Sequence, residues 1–244
     1  MLAPPAGPVV NAASFQPGAL VPGSIASVFG RDLSAGTSSA VSLPLPTMLA
    51  GTTIAVNETP TPSFFVSPGQ INFQVPWEMA RFGGGAIQAA VTLRNPSMSN
   101  LATVPVGSVA PGIFTVGQQG TGQGAVLIAG TASLAAPLGT VPGAQPVSRG
   151  EYIEIYATGL GAVENEPRSG SAASANPLSR TTAIPSVTIG GVAATVTFSG
   201  LAPELVGVYQ VNMLVPDDAP VGEAVPLVLS IEGAVANTVT IAVR

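Results

Sequence analysis

The sequence predicts an all-β protein built from two tandem immunoglobulin-like β-sandwich domains. One stretch is written twice: residues 70–76 read QINFQVP, and residues 210–216 read QVNMLVP. Polar and apolar residues alternate over the first four positions of each copy, which places them on opposite faces of a strand, and the closing proline cannot continue a ladder. The 29 Gly and 24 Pro indicate many turns between short strands, a pattern typical of sandwiches.

Three further blocks repeat in the same order around this stretch. They pair residues 22–33 with 149–160, 54–65 with 187–198, and 100–106 with 237–243. Small insertions between the blocks have the character of variable loops between retained strands. Two copies of this length are too few and too long for a solenoid. We therefore predict a Pro-rich N-terminal arm at 1–8, a first sandwich at 9–107, a linker at 108–118 and a second sandwich at 119–244.

The strands of the first copy follow from alternation and from turn signals. We expect strands at 9–15, 25–29, 53–56, 62–66, 70–76, 87–93 and 102–106. Residues 57–60 (NETP) predict a hairpin between the third and fourth strands, and residues 95–97 (NPS) predict another between the last two. We expect residues 77–85 to form a loop, with one helical turn as the alternative.

The linker and the second copy differ from this plan in two ways. Ile113 and Phe114 are apolar enough to dock, so we expect a short packed connection between the domains. The Gly/Gln run at 117–124 lacks the Lys-Ser/Thr of a phosphate loop, and a joint between domains is the better interpretation. The second copy has longer loops, at 164–185 and 201–207.

Composition excludes several classes of partner. Charged residues make up 8% of the chain, against roughly 25% in an average domain. A net charge of −5 without a basic cluster argues against nucleic acid, because nothing would neutralise phosphates. No run of about 18 apolar residues is present, so we expect no membrane span.

The chain lacks the side chains that most catalytic and metal sites use. It contains no His, no Cys and no Lys, which excludes Ser–His–Asp and Cys–His arrangements, a Schiff base, and thiolate or imidazole metal ligands. Asp217, Asp218 and Glu223 could offer oxygens to Ca²⁺, but the spacing of an EF-hand is missing, and a solvated turn is favoured. We therefore predict no enzyme activity, no catalytic residue, no cofactor and no metal.

The aromatic residues are few, and their positions divide them into two groups. Those at repeated strand positions are predicted to lie in the cores; they are Phe29, Phe65, Tyr156 and Phe198. Phe64 alternates away from Phe65, and Trp77 follows Pro76, where the repeated strand ends. These two rings either pack at the domain joint or under a loop, or form an exposed binding patch.

The amides of the repeated stretch share one face of their strands. Gln70, Asn72 and Gln74 lie on it in the first copy, and Gln210 and Asn212 in the second. Because the pair recurs in both halves, we predict a structural role in which semi-buried amides satisfy loop backbone groups. A functional amide ladder is the alternative.

Six blocks in order resemble one bacterial family. They are residues 10–15, 22–24, 67–72, 110–114, 156–161 and 208–212. The chain resembles the uncharacterised C-terminal domain family first named for Solibacter and abundant in Acidobacteria, and each half is loosely similar to IPT/TIG-type modules. The resemblance implies an exported pair of sandwiches, extracellular or on the cell surface; the family carries no assigned activity, so no functional residues are transferred.

We expect a non-catalytic structural or adhesion protein that acts through protein–protein contacts. Its partners would be other surface proteins or itself, in a filament or surface layer, because few charges keep copies apart and no Lys protects the edge strands. Val9, Val10, Phe64 and Trp77 are the candidate interaction residues, with the arm and Val9-Val10 reaching an open edge of a neighbour. The alternative for Val9 and Val10 is that residues 9–15 pair within their own domain. The alternative is a carbohydrate- or ligand-binding module of a larger secreted protein; a hydrolase that uses carboxylates alone is a third, weaker alternative.

Overall fold

The computed structural model describes residues 9–82, 88–95 and 98–244, without the side chains of residues 81, 82 and 98–101. Within them lie 18 strands and a 3-10 helix at Trp77–Phe82. The strands of the first half are β1 (Val9–Asn11), β2 (Ile25–Phe29), β3 (Ser38–Ser39), β4 (Thr53–Val56), β5 (Thr59–Pro60), β6 (Ser63–Val66), β7 (Gln70–Gln74), β8 (Gln88–Asn95) and β9 (Met98–Pro105). Those of the second are β10 (Gly112–Ile113), β11 (Val126–Ile128), β12 (Tyr152–Thr158), β13 (Ser186–Ile189), β14 (Val192–Leu201), β15 (Tyr209–Leu214), β16 (Gly222–Ile231), β17 (Ala234–Val235) and β18 (Val239–Val243).

The first half is a sandwich of two antiparallel sheets. One sheet has the order β1-β2-β7-β6-β3, and the other the order β5-β4-β8-β9. Alternation along β7 places Ile71 and Phe73 in the core and leaves Gln70 and Asn72 half-buried on the outer face. Ile54 and Val56 of β4 are equally buried from the opposite sheet. The predicted strand at 70–76 and the predicted all-β fold are confirmed.

The second half follows the same path with one continuous strand where the first half has two. The first residues of β14 pair with β13, and its remaining residues pair with β15. In the first half β5 pairs with β4, and β6 pairs with β7. Pro62 lies between β5 and β6, where a residue without an N–H cannot continue the ladder. The predicted hairpin between 53–56 and 62–66 is therefore wrong, whereas the predicted hairpin around 95–97 is confirmed by the β8–β9 pairing.

The two repeated asparagines occupy equivalent strand positions. Asn72 pairs with Ser27 on one side and Phe65 on the other, and Asn212 pairs with Glu154 and Phe198. A register shift immediately before the phenylalanine occurs in both copies. This confirms the predicted correspondence of the two asparagines.

The repeated aromatic residues are not in the cores, contrary to the prediction. Phe29 pairs with Gln70, and Phe65 with Asn72; Tyr156 and Phe198 pair with their counterparts in the second copy. Directly paired residues share a face of the sheet. All four rings are therefore half-buried on the outer face beside the amides.

The second set of strands begins inside the predicted linker. Gly112 and Ile113 pair with Thr158 and Ala157 of β12, and Ile113 is fully buried. The connection between the halves is therefore packed, as expected, but residues 112–113 form a strand in the sheet of the second half. The predicted arm at residues 1–8 lies outside the described residues.

Candidate functional site

Val9 and Val10 do not form an exposed surface. Strand β1 pairs with β2, where Val9 lies opposite Val28 and Val10 opposite Ser27. Both valines are buried, and Val10 also forms a bridge with Pro17 that covers the outer edge of the strand. The predicted role of these two residues in pairing with a neighbouring chain is therefore wrong, and the alternative, pairing within their own domain, is confirmed for Val9–Asn11.

Trp77 is buried at the contact between the two sandwiches and does not lie on the surface. Its side chain is 3% exposed and packs in the hydrophobic cluster of the second sandwich, although its helix belongs to the first. The Trp77 backbone N–H donates to Ser169 Oγ (2.9 Å), and the Ser169 hydroxyl donates to Glu78 Oε2 (2.6 Å). Of the two alternatives for Trp77, packing at the domain joint is confirmed.

Two buried polar side chains connect the sandwiches beside Trp77. The Gln74 Oε1 accepts from the Gly170 N–H (2.6 Å), while its Nε2 donates to the Gly23 carbonyl (3.4 Å). Thr158 Oγ1 accepts from the Ile25 N–H (2.9 Å) and donates to the Gly207 carbonyl (2.8 Å). Both side chains are fully buried, so these bonds form in a low-dielectric setting where an unpaired partner would be costly.

We call the contact around Trp77, Gln74 and Thr158 the joint. Gly170 and Ser169 lie on the longer loop of the second copy, at 164–185, which reaches across to the first sandwich. The Gly170 carbonyl also accepts from the Leu45 N–H (2.8 Å). The loop that distinguishes the second copy therefore serves to hold the first copy in place.

Phe64 lines a cleft of about 390 Å³ between the two halves. The cleft lies between the outer face of the five-stranded sheet of the first sandwich and residues 114–118, which follow β10. Its lining includes Phe15, Phe114, Ser27, Gln70, Asn72 and Gln118. None of its lining residues is charged. We call it the neutral cleft.

Hydrogen bonds fix the amide of Asn72 at the wall of the neutral cleft. Its Oδ1 accepts from Gln70 Nε2 (2.8 Å) and from the Ser27 hydroxyl (2.9 Å). Both acceptor sites of this oxygen are occupied, and within the described chain its Nδ2 donates to no group. Gln70 and Asn72 thus bind each other, whereas the predicted role toward loop backbone groups holds for Gln74.

The same amide pair recurs in the second copy without the neutral cleft. Gln210 Nε2 donates to Asn212 Oδ1 (2.8 Å). The residue paired with Asn212 is Glu154, where the first copy has Ser27. The shared pair is a structural feature of the repeat, and the uncharged surroundings are particular to the first copy.

Two lining residues of the neutral cleft hold an unusual backbone conformation. Phe15 has φ 57° and Gln118 has φ 51°, in the left-handed region that residues other than Gly and Asn seldom adopt. Such positions are concentrated at functional sites. Sequence reasoning missed both residues, since neither type signals a left-handed turn.

Among the residues that the structure describes, no group of three or more acidic side chains could hold a metal ion, and Asp217, Asp218 and Glu223 are no exception. Glu151 Oε2 accepts from the Ser148 N–H (2.6 Å) and so holds a turn. Burial raises the pKa of the Tyr156 phenol, and the neighbouring Glu154 carboxylate raises it further.

No helix within 9–82, 88–95 and 98–244 has the length and apolar character required to cross a bilayer.

We expect Tyr209 to make the stability of the second sandwich sensitive to alkaline pH. It is fully buried, its hydroxyl donates to the Gly161 carbonyl, and burial followed by the charge of Glu166 raises the pKa of its phenol far above 10.0. The unfolded chain releases this proton above about pH 10 and the folded chain keeps it, so stability present below that pH is lost as pH rises.

We expect the urea midpoint to fall between about pH 9 and 11. Tyr209→Phe should lower the midpoint at neutral pH and flatten the alkaline fall; an equally steep fall in the variant would contradict this.

The comparisons with known proteins identify no family. No family matches the chain, and no curated protein does, so membership of the Solibacter family remains a prediction. The chain is similar to the solved structure of SGBP-B from a complex xyloglucan utilization locus in Bacteroides uniformis, at 13% identity and a TM-score of 0.30, covering 98% of this chain and 49% of that one. It is also similar to domains 5-6 of the S-layer protein SbsC, at 11% identity and a TM-score of 0.26, covering 96% and 97%.

A third similarity is to the I9-I11 tandem of titin, at 10% identity and a TM-score of 0.24, covering 96% of this chain and 65% of that one. The chain thus spans about half of the SGBP-B structure and about two thirds of the titin structure. These similarities are too low to support an argument about function.

Proposed function

We propose that the protein is a non-catalytic structural module that acts outside the cell through protein–protein contacts. The observation that carries the proposal is the joint. Trp77 of the first sandwich lies in the core cluster of the second, and Gln74 and Thr158 add buried hydrogen bonds between the two. An interface of this kind favours a single rigid body over two domains on a flexible tether.

Two further features support an exported, non-catalytic role. The resemblance to the Solibacter family implies export to the cell surface. The absence of His, Cys and Lys removes the thiol nucleophile, the imidazole and amine bases that usually activate a hydroxyl, and the Schiff-base partner. These features support a structural role.

We include copies of the same chain among its partners, as a filament or surface layer. Only 8% of residues are charged, which leaves little electrostatic repulsion between copies. Large apolar side chains lie on the surface, among them Val41 (97% exposed), Leu138 (78%) and Ile184 (79%). Since Val9 and Val10 pair within their own sheet, these contacts would be made between surfaces and not by strand addition through those residues.

Self-association is testable by sedimentation velocity over a range of concentrations. We expect reversible oligomers that are not dissociated by sodium chloride and are favoured by ammonium sulfate, because apolar contacts strengthen in excluded salts. Val41→Asp with Leu138→Asp should shift the protein toward monomer. The matched control, Ser42→Asp with Thr140→Asp, adds the same charge at neighbouring exposed polar positions.

A wild-type protein that remains monomeric at high concentration in both salts would overturn the self-association proposal. Equal dissociation by the test and control variants would also contradict it, since net charge and not the apolar side chains would then govern association.

A second candidate function, ligand binding, is favoured by the neutral cleft. It does not compete with the structural role. The cleft adjoins the joint through Ile25, which lines the cleft and donates its backbone N–H to Thr158, but Trp77, Gln74 and Thr158 themselves do not line the cleft.

A further inference from the structure

The neutral cleft has the size and electrostatics of a site for an uncharged ligand. Its volume of about 390 Å³ falls within the range of about 300–1,000 Å³ that is usual for small-molecule sites. Because no charged side chain lines it, it offers no partner for a phosphate, a carboxylate or an ammonium group, and burying such a charge unpaired is costly. The cleft therefore favours an uncharged ligand.

The amides at its wall present donors and acceptors side by side. Asn72 Oδ1 already accepts from Gln70 and Ser27. The Nδ2 of Asn72 is therefore the group of this amide that is available to a ligand. The Oε1 of Gln70 is left as an acceptor, and the exposed amide of Gln118 offers both kinds of group. Hydroxyl groups both donate and accept, so a polyhydroxylated ligand matches this set.

The rings of the cleft supply apolar contact next to these polar groups. Phe15, Phe64 and Phe114 all line it and are half-buried. The ring of Phe15 is held against Phe29, with centroids 6.1 Å apart. A ligand with hydroxyls at its edge and C–H groups on its face can use both the rings and the amides.

We propose that the neutral cleft binds an uncharged saccharide through the Asn72 amide and the three phenylalanine rings. An extended peptide fits less well, because strand addition requires unpaired backbone groups at an edge, and the cleft wall is a sheet face whose strands β2, β6 and β7 are paired. The inference rests on the second candidate function, ligand binding, and names its ligand class; the structural role does not depend on it.

The test is a titration of the ¹⁵N-labelled full chain followed by NMR. The probes are maltohexaose, cellohexaose, xylohexaose and mannohexaose. We expect at least one to shift the side-chain amide signals of Asn72 and Gln118. Asn72→Ala should weaken its binding by about two- to tenfold, which is the expected effect of losing one well-placed hydrogen bond.

The repeat provides a matched control for this variant. Asn212→Ala removes the same side chain from the same hydrogen-bonded pair in the second copy, and it should leave saccharide affinity unchanged. Asn72→Asp is a second variant, since a carboxylate still accepts from Gln70 and Ser27 but has no N–H to donate. It should retain the fold and weaken binding where the ligand oxygen at this position accepts from the Asn72 N–H.

Three outcomes would overturn the saccharide assignment. One is an absence of binding by all four oligosaccharides at millimolar concentration. Another is equal affinity in the Asn72 and Asn212 variants. The third is tighter binding of trigalacturonic acid or of a neutral tetrapeptide in parallel titrations; if Asn72→Ala weakened that binding, ligand binding by the cleft would stand while the saccharide class would fail.

Discussion

Replacing Trp77 by alanine should both destabilise the protein and split its single unfolding transition into two. The ring is 3% exposed and joins the core cluster of the second sandwich. Removing a buried aromatic side chain costs about 3–5 kcal/mol when the cavity cannot close. Because the ring is shared between the domains, we expect wild type to unfold in one cooperative transition and Trp77→Ala in two, as measured by differential scanning calorimetry.

Trp77→Phe is the matched variant for this prediction. The indole Nε1 is buried and has no hydrogen-bond partner in the described chain, so its removal leaves no donor stranded. We expect a smaller loss than for Trp77→Ala, because most of the aromatic volume is retained, and a single transition. Two transitions in wild type, or a Trp77→Ala protein as stable as Trp77→Phe, would show that the ring does not couple the sandwiches.

Gly23→Ala should lower the free energy of unfolding by a similar amount, because Gly23 packs against the Trp77 ring. Gly23 has φ 78°, and a Cβ at this position would lie 2.1 Å from the Trp77 ring. A left-handed conformation costs a residue with a Cβ about 1–2 kcal/mol, and overpacking adds about 1–3 kcal/mol. The measurement is the free energy of unfolding in urea.

Gly18 provides the control for the glycine effect. It is close in sequence, its φ is not positive, and a Cβ there would meet nothing within 4 Å. We expect Gly18→Ala to be neutral or slightly stabilising, because it reduces the freedom of the unfolded chain. Equal stability of the two variants would mean that the Gly23 backbone adjusts and that the Trp77 ring is not tightly held.

The sequence predicted the elements of the fold well because its signals are local. Alternation around Ile71 and Phe73 identifies a strand with one buried face, and the duplication identifies two domains. The equivalence of Asn72 and Asn212 followed from the same pattern. These features depend on side chains a few positions apart, which a sequence displays directly.

The faces of Phe65 and Phe198 could not be predicted in this way. A register shift precedes both Phe65 and Phe198, and an extra residue in one strand moves the following side chains to the other face. Repetition shows that a position is constrained but not which side of the sheet it takes.

The joint and the neutral cleft depend on contacts between distant segments. Gln74 meets Gly170 across 96 positions, and the cleft brings Phe15, Phe64 and Phe114 together. The longer loop at 164–185 was visible in the sequence, but its contact with the first sandwich was not. Val9 and Val10 were misassigned for a related reason, since their partner strand β2 lies beyond an intervening turn.

The distance between one spin label in each sandwich, measured by pulsed electron paramagnetic resonance, tests the rigid joint most directly. The chain contains no cysteine, so Ser39→Cys and Glu223→Cys, both at exposed strand positions, give two unique labelling sites. A rigid pair gives a single narrow distance distribution, which should broaden when Trp77→Ala is added. A broad distribution in the labelled protein that still contains Trp77 would contradict the account, because the two sandwiches would then move independently.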